Sequence, residues 1–251
     1  RGKEESLKRF HPWIFSGAIH HMDEGIEEGE TVRVITAAGE FIAVGHYQIG
    51  SIAVRVLSFE DIEINTDFWC ERLQSALDVR IGVGIADSPT NNTYRLVHGE
   101  GDYLPGLVID CYGSTAVMQA HSVGMHVCRN EICQALVQVM GDRIANVYYK
   151  SETTLPYKAD LHQENGFLVG GDASNVAMEN GLKFHIDWLR GQKTGFFVDQ
   201  RENRSLLELY AKGKSVLNMF CYTGGFSVYA MRGDAKQVHS VDSSAKAIEL
   251  T

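Results

Sequence analysis

The sequence predicts a multidomain protein of mixed α/β and α+β class, with three domains at residues 1–63, 64–172 and 173–251. Short alternating strands at even spacing in the first segment indicate a small β-barrel. Helix and strand patterns are mixed in the second segment, which indicates an α+β domain. The third segment contains a strand, a Gly-bearing turn, a helix and a second strand that ends in an acid, which is the start of a parallel α/β sheet.

Composition limits the class of protein further. Hydrophobic residues make up 44% of the 251 residues, enough for an ordinary buried core. No apolar run approaches the roughly 18 residues that a membrane helix needs. The five cysteines form no Cys-x-x-Cys pair. We therefore expect reduced thiols, no zinc site and a cytoplasmic location.

The net charge of −9 argues against a broad nucleic-acid-binding surface. Residues 1–63 carry 6 basic and 11 acidic residues, residues 64–172 carry 7 and 13, and residues 173–251 carry 10 and 8. Only the last segment is net positive. Contact with RNA would therefore depend on local patches, such as the basic residues around Lys8 and Arg9.

The first segment begins with an aromatic stretch, His11–Ile19, which we interpret as a plug that closes the barrel. Strands are expected at residues 31–36, 40–48 and 52–58. His20 and His21 are expected to be solvated.

The middle segment begins with a helix that Asn65 or Thr66 can cap and that continues to Ile81. A hairpin is expected around the turn Gly99–Gly106. The remaining elements are strands at 115–119, 144–149 and 167–169 and one helix at 125–140, on which Cys128 and Cys133 are core thiols. Three polar residues of the turn, His98, Glu100 and Asp102, match no metal-ligand motif, and we expect no metal site there.

The third segment opens with a hairpin, residues 176–179 and 182–187, joined by the preferred Asn180-Gly181 turn. A helix at 199–210 follows, with Leu206, Leu207 and Tyr210 predicted to face inward. Arg201 and Arg204 lie on one face of this helix. They are either a solvated pair or an oxyanion site for a cofactor carboxylate or an RNA phosphate.

A nucleotide site is predicted at the end of the chain. A buried strand (Val216, Leu217, Met219, Phe220) leads into Gly224 and Gly225, where the backbone can bend sharply and approach a ligand. The helix at 226–231 directs N–H groups at that ligand. Asp242 ends the second strand, where an acid accepts hydrogen bonds from ribose hydroxyls. The turn lacks the third glycine of the Gly-x-Gly-x-x-Gly fingerprint, which argues against a dinucleotide.

Three stretches resemble a known family: Gly191–Arg204, Ser215–Ser227 and Val241–Leu250. They are similar to cofactor motifs of class I S-adenosylmethionine methyltransferases, and the whole pattern from about Arg9 onward resembles the large-subunit ribosomal RNA methyltransferase I family. The resemblance implies a PUA-like RNA-binding domain, a middle domain and a Rossmann-like methyltransferase domain. It also implies S-adenosylmethionine as cofactor, ribosomal RNA as partner and cytosine carbon 5 as the methylated atom.

The resemblance further implies a set of cofactor-binding residues, which are Gln192, Lys193, Thr194, Phe196, Asp199, Arg201, Asn218, Phe220, Tyr222, Gly224, Gly225, Asp242 and Ser243. No catalytic residue can be assigned. Only two strands of the sheet follow Lys214. We therefore expect that an intact protein continues past Thr251 and carries a nucleophilic cysteine there. The 251-residue chain is expected to be inactive.

Two other functions stay open from the sequence. One is a non-enzymatic RNA-binding module in which the PUA-like domain is the working part. The other, disfavoured by the missing glycine, is an NAD-dependent oxidoreductase. Membrane association is not expected, and a homodimer is left open.

Overall fold

The computed structural model describes residues 3–156, 161, 164–171 and 174–251. The chain divides into two compact units, unit 1 (residues 1–84 and 95–172) and unit 2 (residues 85–94 and 173–251). The predicted boundary at residues 172 and 173 lies outside the described residues. So does Arg1, one of the basic residues near Lys8 and Arg9. The division into three domains stays a prediction.

Unit 1 begins with a four-stranded antiparallel sheet in the order β1-β4-β3-β2. Its strands are β1 (Trp13–Phe15), β2 (Thr31–Ile35), β3 (Phe41–Tyr47) and β4 (Ile52–Ser58). A hydrophobic cluster lies on one face of this sheet and contains Leu7, Ile14, Ala43, Val54 and Val56.

The predicted aromatic plug is wrong. Ile14 is buried, whereas Trp13 is half-buried and Phe15 is 48% exposed. Successive side chains of a strand point to opposite faces, so burying Ile14 places both aromatic neighbours on the other face. The Trp13 indole N–H donates to Glu100 Oε1 at 2.9 Å.

The other described residues of unit 1 include a five-stranded sheet and three α-helices. The sheet order is β5-β6-β7-β8-β9, and the β7–β8 pair is parallel. The strands are β5 (Thr93–His98), β6 (Leu107–Tyr112), β7 (Thr115–Ala120), β8 (Asn146–Tyr149) and β9 (Gly166–Val169), and the first two residues of β5 belong to unit 2. The helices are α1 (Thr66–Gly82), α2 (Val123–Val127) and α3 (Arg129–Met140).

Helix α1 starts as predicted, because the Asn65 side chain accepts a hydrogen bond from Phe68 N at 3.1 Å. The single helix predicted at 125–140 is instead two helices that meet at Cys128. Cys133 is buried, as expected for a core thiol, and Cys128 is half-buried. All five cysteines are free thiols.

A buried histidine, His46 on β3, packs against α2. A side chain on Gly124 would place its Cβ 2.2 Å from the imidazole Cγ, so only glycine fits there. His46 Nε2 lies 3.7 Å from Cys128 Sγ, and Nδ1 has no hydrogen-bond partner. Burial and the charge of Arg55 lower the pKa of His46 to about 4. The imidazole is therefore neutral at physiological pH.

The polar turn after β5 is held by ion pairs. Asp102 accepts hydrogen bonds from Arg80 Nη2 at 2.8 Å and from the His98 backbone N–H at 2.6 Å. Both Asp102 and Arg80 are largely buried. Within the described ranges, no group of three or more His, Cys, Asp or Glu side chains is placed to hold a metal ion. Nor is any described helix both long and apolar enough to cross a bilayer.

Unit 2 contains the hairpin β10 (Val176–Glu179) and β11 (Leu182–His185), then alternating helices and strands. Asn180 and Gly181 both have positive φ, 49° and 78°, which confirms the predicted turn. The later elements are α4 (Arg201–Ala211), β12 (Ser215–Met219), α5 (Gly225–Arg232), β13 (Gln237–Val241) and α6 (Ala245–Leu250), with β12 and β13 parallel.

The predicted inward face of α4 is wrong. Leu206 is 51% and Tyr210 71% exposed, whereas Arg204 and Ala211 are buried. Arg204 faces inward because Glu179 is fully buried opposite it. The guanidinium donates from Nε and Nη2 to this carboxylate at 2.8 and 2.7 Å.

Glu179 has two further partners. The Tyr229 hydroxyl donates to Oε1 at 2.9 Å, and Arg201 Nε lies 3.5 Å from Oε2. Arg204 also donates to the Phe197 carbonyl at 3.1 Å. One buried carboxylate thus joins β10, α4 and α5, and this buried cluster excludes the solvated Arg201–Arg204 pair.

Candidate cofactor-binding site

The candidate site lies at the carboxyl ends of β12 and β13. The parallel register pairs Asn218 with Ser240 and Met219 with Val241, so both strands end at the same edge. Phe220 and Asp242 are the first residues beyond the two strands. In open α/β sheets, ligands bind in the crevice outside this edge.

The predicted burial of β12 is wrong. Leu217 and Met219 are 64% and 49% exposed, and Phe220 lies beyond the strand with 87% exposure. The strand alternates instead, with Val216 and Asn218 half-buried. Alternate residues point to opposite faces, and described residues cover only one of the two faces.

The turn after β12 has an unusual backbone. Phe220, Tyr222 and Gly224 have positive φ values of 58°, 49° and 75°. Such a conformation costs energy for residues other than glycine, and it is concentrated at ligand sites. Gly224 N–H donates to Cys221 O at 2.9 Å and closes the turn. The turn ends where α5 begins, at Gly225.

Helix α5 directs its N-terminus toward the turn. Its first intrahelical hydrogen bond runs from Val228 N to Gly224 O at 3.0 Å. The N–H groups of Gly225, Phe226 and Ser227 precede that bond, and such groups at a helix start favour a negatively charged ligand group.

Asp242 is the charged group at this edge. Its Oδ2 accepts a hydrogen bond from Tyr222 N at 2.8 Å, and Oδ1 accepts one from Ser244 N at 2.9 Å. The backbone N–H groups of Ser244, Tyr222 and Ser243 lower the pKa of Asp242, so the carboxylate stays ionised. A carboxylate has about four acceptor positions, so it can accept further bonds from a vicinal diol such as ribose.

The loop Gly191–Phe197 contacts this turn. The Tyr222 hydroxyl accepts a hydrogen bond from Gln192 N at 3.2 Å and donates one to Gly195 O at 3.1 Å. Gln192 and Lys193 are exposed, and Lys193 Nζ lies 5.2 Å from the Phe197 ring centroid. The loop therefore presents two polar side chains to solvent.

Several residues predicted from the sequence are buried or bonded elsewhere. Arg201 bonds the Thr93 carbonyl and lies beside Glu179. Phe196 is buried under the start of α5: its ring centroid is 4.6 Å from the Arg204 guanidinium, and a Cβ on Gly225 would lie 3.6 Å from its ring. Thr194 is also buried, and exposed Asp199 accepts a hydrogen bond from Gln200.

A chain of hydrogen-bonded side chains that was not predicted from the sequence lies below the edge. Asn218 Nδ2 donates to Ser227 Oγ at 2.9 Å, and that hydroxyl lies 2.6 Å from Ser240 Oγ. The chain ties β12, α5 and β13 together. The sequence pattern that could have indicated this chain is the presence of polar residues at inward positions of two neighbouring strands. Ser244, which holds Asp242, was missed as well.

These features together fit a nucleoside cofactor. An ionised acid and an exposed aromatic ring, Asp242 and Phe220, lie at the ends of adjacent parallel strands, with a helix start after the turn between them. The acid fits ribose hydroxyls, the ring fits a base, and the helix start fits a carboxylate.

Two segments of the chain match known domain families. Residues 1–59 match a PUA-like domain, and residues 158–249 match an S-adenosylmethionine-dependent methyltransferase domain. The chain thus joins a PUA-like domain to a Rossmann-like S-adenosylmethionine-dependent methyltransferase fold.

Curated relatives give a more specific similarity. The ribosomal RNA large subunit methyltransferase I of Vibrio parahaemolyticus is 41% identical over 99% of this chain, and that of Tolumonas auensis is 40% identical over all of it. The chain is therefore similar to these two enzymes over nearly its whole length. It spans 62% and 63% of the length of these two relatives.

Solved structures agree with this fold. A proposed S-adenosylmethionine-dependent methyltransferase from Streptococcus mutans aligns over 99% of this chain and 63% of its own, with 27% identity and a TM-score of 0.81. A proposed methyltransferase complexed with S-adenosylhomocysteine (SAH) aligns over 99% of this chain and 62% of its own, with 27% identity and a TM-score of 0.83.

Proposed function

We propose that this protein takes part in transferring a methyl group from S-adenosylmethionine to large-subunit ribosomal RNA. The observation that carries the proposal is the ionised Asp242, held at the end of β13 by backbone N–H groups from the turn after β12. The methyltransferase match over residues 158–249 and the names of the relatives support it.

In this proposal different residues at the strand ends contact different parts of the cofactor. Asp242 accepts hydrogen bonds from the ribose hydroxyls, with Ser243 beside it. Phe220 contacts the adenine, and the turn Asn218–Gly225 surrounds the methionine moiety. Gln192 and Lys193 cover the cofactor from the other side. The buried side chains of Thr194 and Phe196 support the loop rather than touch the cofactor.

The finer proposal is methylation of cytosine at carbon 5. This carbon is a poor nucleophile, so a cysteine thiolate first adds to carbon 6 and makes carbon 5 enamine-like. A bound S-adenosylmethionine would supply the methyl group to carbon 5, whose proton would then pass to a base as the thiolate leaves. Cys221 is unsuited to this role, since its thiol is buried and directed at the Tyr222 carbonyl 3.6 Å away.

Ribosomal RNA is the proposed partner, and the PUA-like domain is its proposed contact. The match over residues 1–59 supports this assignment. Arg9 is exposed and Lys8 lies beside it, paired with Glu5 at 3.0 Å. Arg204 is excluded as a phosphate contact because it is buried on Glu179. A cytoplasmic location and a homodimer stay predictions.

The test is transfer of tritiated methyl groups to unmodified ribosomal RNA. The protein is compared with its Asp242→Ala variant, and small-subunit RNA is the control substrate. We expect labelled 5-methylcytidine in large-subunit RNA from the protein and much less from the variant. Label in another base would contradict the cytosine proposal, and no label from the protein would contradict methyl transfer.

A further inference from the structure

Tyr222 contacts both halves of the candidate site through different atoms. Its backbone N–H donates to Asp242, and its hydroxyl bonds the backbone of Gln192 and Gly195. Its ring packs edge-on against Phe197 with centroids 5.4 Å apart. The loop lies 27 to 30 residues earlier in the chain, so these are tertiary contacts.

The loop backbone approaches this phenol closely. A Cβ on Gly191 would lie 2.7 Å from the Tyr222 hydroxyl and 2.2 Å from Asp187 O. Gly195 has a φ of 121°, and its Cβ would lie 2.7 Å from Trp188 Cα. Glycine at both positions lets the loop reach the hydroxyl. Burial raises the pKa of Tyr222, so the hydroxyl keeps the proton that it donates to Gly195.

We infer that Tyr222 is a positioning residue that couples the ribose-binding acid Asp242 to the loop Gly191–Phe197. The carboxylate fixes the backbone of Tyr222, and this backbone aims the phenol that holds the loop. Binding of the cofactor at Asp242 and ordering of the loop therefore occur together. This inference rests on the proposed cofactor site, and it changes the role of Tyr222 from ligand contact to support.

The first arm of the test uses amide hydrogen exchange without ligand, comparing wild type with Tyr222→Phe. The variant keeps the ring and loses the hydroxyl, so Gln192 N–H loses its acceptor. We expect exchange at the Gln192 amide to quicken roughly five- to tenfold, the effect of one hydrogen bond. The control is Tyr229→Phe, which also removes a buried hydroxyl, here one bonded to Glu179. The control should lower the melting temperature without selective exchange in the loop.

The second arm adds SAH. In wild type it should slow exchange both at Tyr222–Gly225 and at Gln192–Gly195. In Tyr222→Phe the protection should persist at the turn and be largely lost in the loop, with affinity reduced roughly five- to tenfold. Equal loop exchange in the two proteins, or the same pattern in Tyr229→Phe, would overturn the inference while SAH binding stands. Absence of SAH binding to wild type would instead overturn the proposed function and the coupling with it.

Discussion

At the scale of single residues, Asp242 shows how backbone donors prepare a ligand-binding acid. Two N–H groups orient the carboxylate and keep it ionised before any ligand arrives. Orientation in advance reduces the entropy that binding must otherwise overcome. The acid itself could be predicted from its position after a strand, whereas its donors depend on the folded turn.

Asp242→Ala should weaken SAH binding roughly tenfold or more, because hydrogen bonds to a charged acceptor are lost. The measurement is equilibrium binding by competition, with circular dichroism as a check of folding. Glu249→Ala is the matched control, since it removes an exposed acid on α6. Equal affinity of Asp242→Ala and wild type would refute the ribose assignment.

Residues whose structural role depends on sequence neighbours were predicted correctly. Residues whose role depends on a partner far away in the chain were not. The Asn180-Gly181 turn and the Asn65 cap depend on neighbours in sequence, and both were predicted. Arg204 was misplaced because its partner Glu179 lies 25 residues earlier, on another element. No helical periodicity contains that information.

At the scale of elements, the Glu179 cluster joins β10, α4 and α5. A buried carboxylate is costly unless its charge and its lone pairs have partners, and the two guanidinium groups supply them for Glu179. Tyr229 completes the set: burial, together with the nearby Glu179 carboxylate, raises the pKa of its hydroxyl, which stays protonated as a donor.

Glu179→Gln should destabilise the protein by about 3–5 kcal/mol, because the buried charge of Arg204 is left uncompensated. The measurement is urea unfolding followed by circular dichroism. Glu208→Gln is the control, since it breaks a more exposed ion pair with Arg232 and should cost less than about 1 kcal/mol. Similar losses in the two variants would show that the cluster is not the link between these elements.

The buried imidazole of His46 should make the stability of the packing between β3 and α2 depend on pH. Its pKa falls from an ordinary 6.5 to about 4 on folding, so the folded state disfavours the protonated form. The contribution of His46 to the free energy of unfolding should be constant above about pH 6.5 and decrease as the pH falls from there toward 4. Between pH 7.5 and 5.0, wild type should lose about 2 kcal/mol more than His46→Gln in urea unfolding. Parallel curves for the two proteins would contradict this prediction.

Patterns predicted the existence of elements better than their burial. The strand–turn–helix–strand order from Ser215 to Val241 was predicted and is observed. An apolar run was taken as a buried strand, but β12 is exposed on the face with Leu217 and Met219. Burial depends on what covers a face, and a strand's own sequence does not specify its neighbours.

At the scale of the whole molecule, negative charge limits how RNA can be bound. With Arg204 buried, Lys8 and Arg9 are the proposed phosphate contacts in the PUA-like domain. Two contacts to single-stranded RNA give a slope of about −1.4 for log affinity against log salt. Lys8→Ala combined with Arg9→Ala should flatten this slope in filter-binding assays. An unchanged slope would show that other residues meet the phosphates.

The central claim is that the carboxyl ends of β12 and β13 bind S-adenosylmethionine. Calorimetric titration of the protein with SAH, and separately with NAD, tests it most directly. We predict saturable binding of SAH at one site and far weaker binding of NAD, because the turn at Gly224 and Gly225 lacks the third glycine that a pyrophosphate requires. Absence of SAH binding, or NAD binding of equal strength, would contradict it.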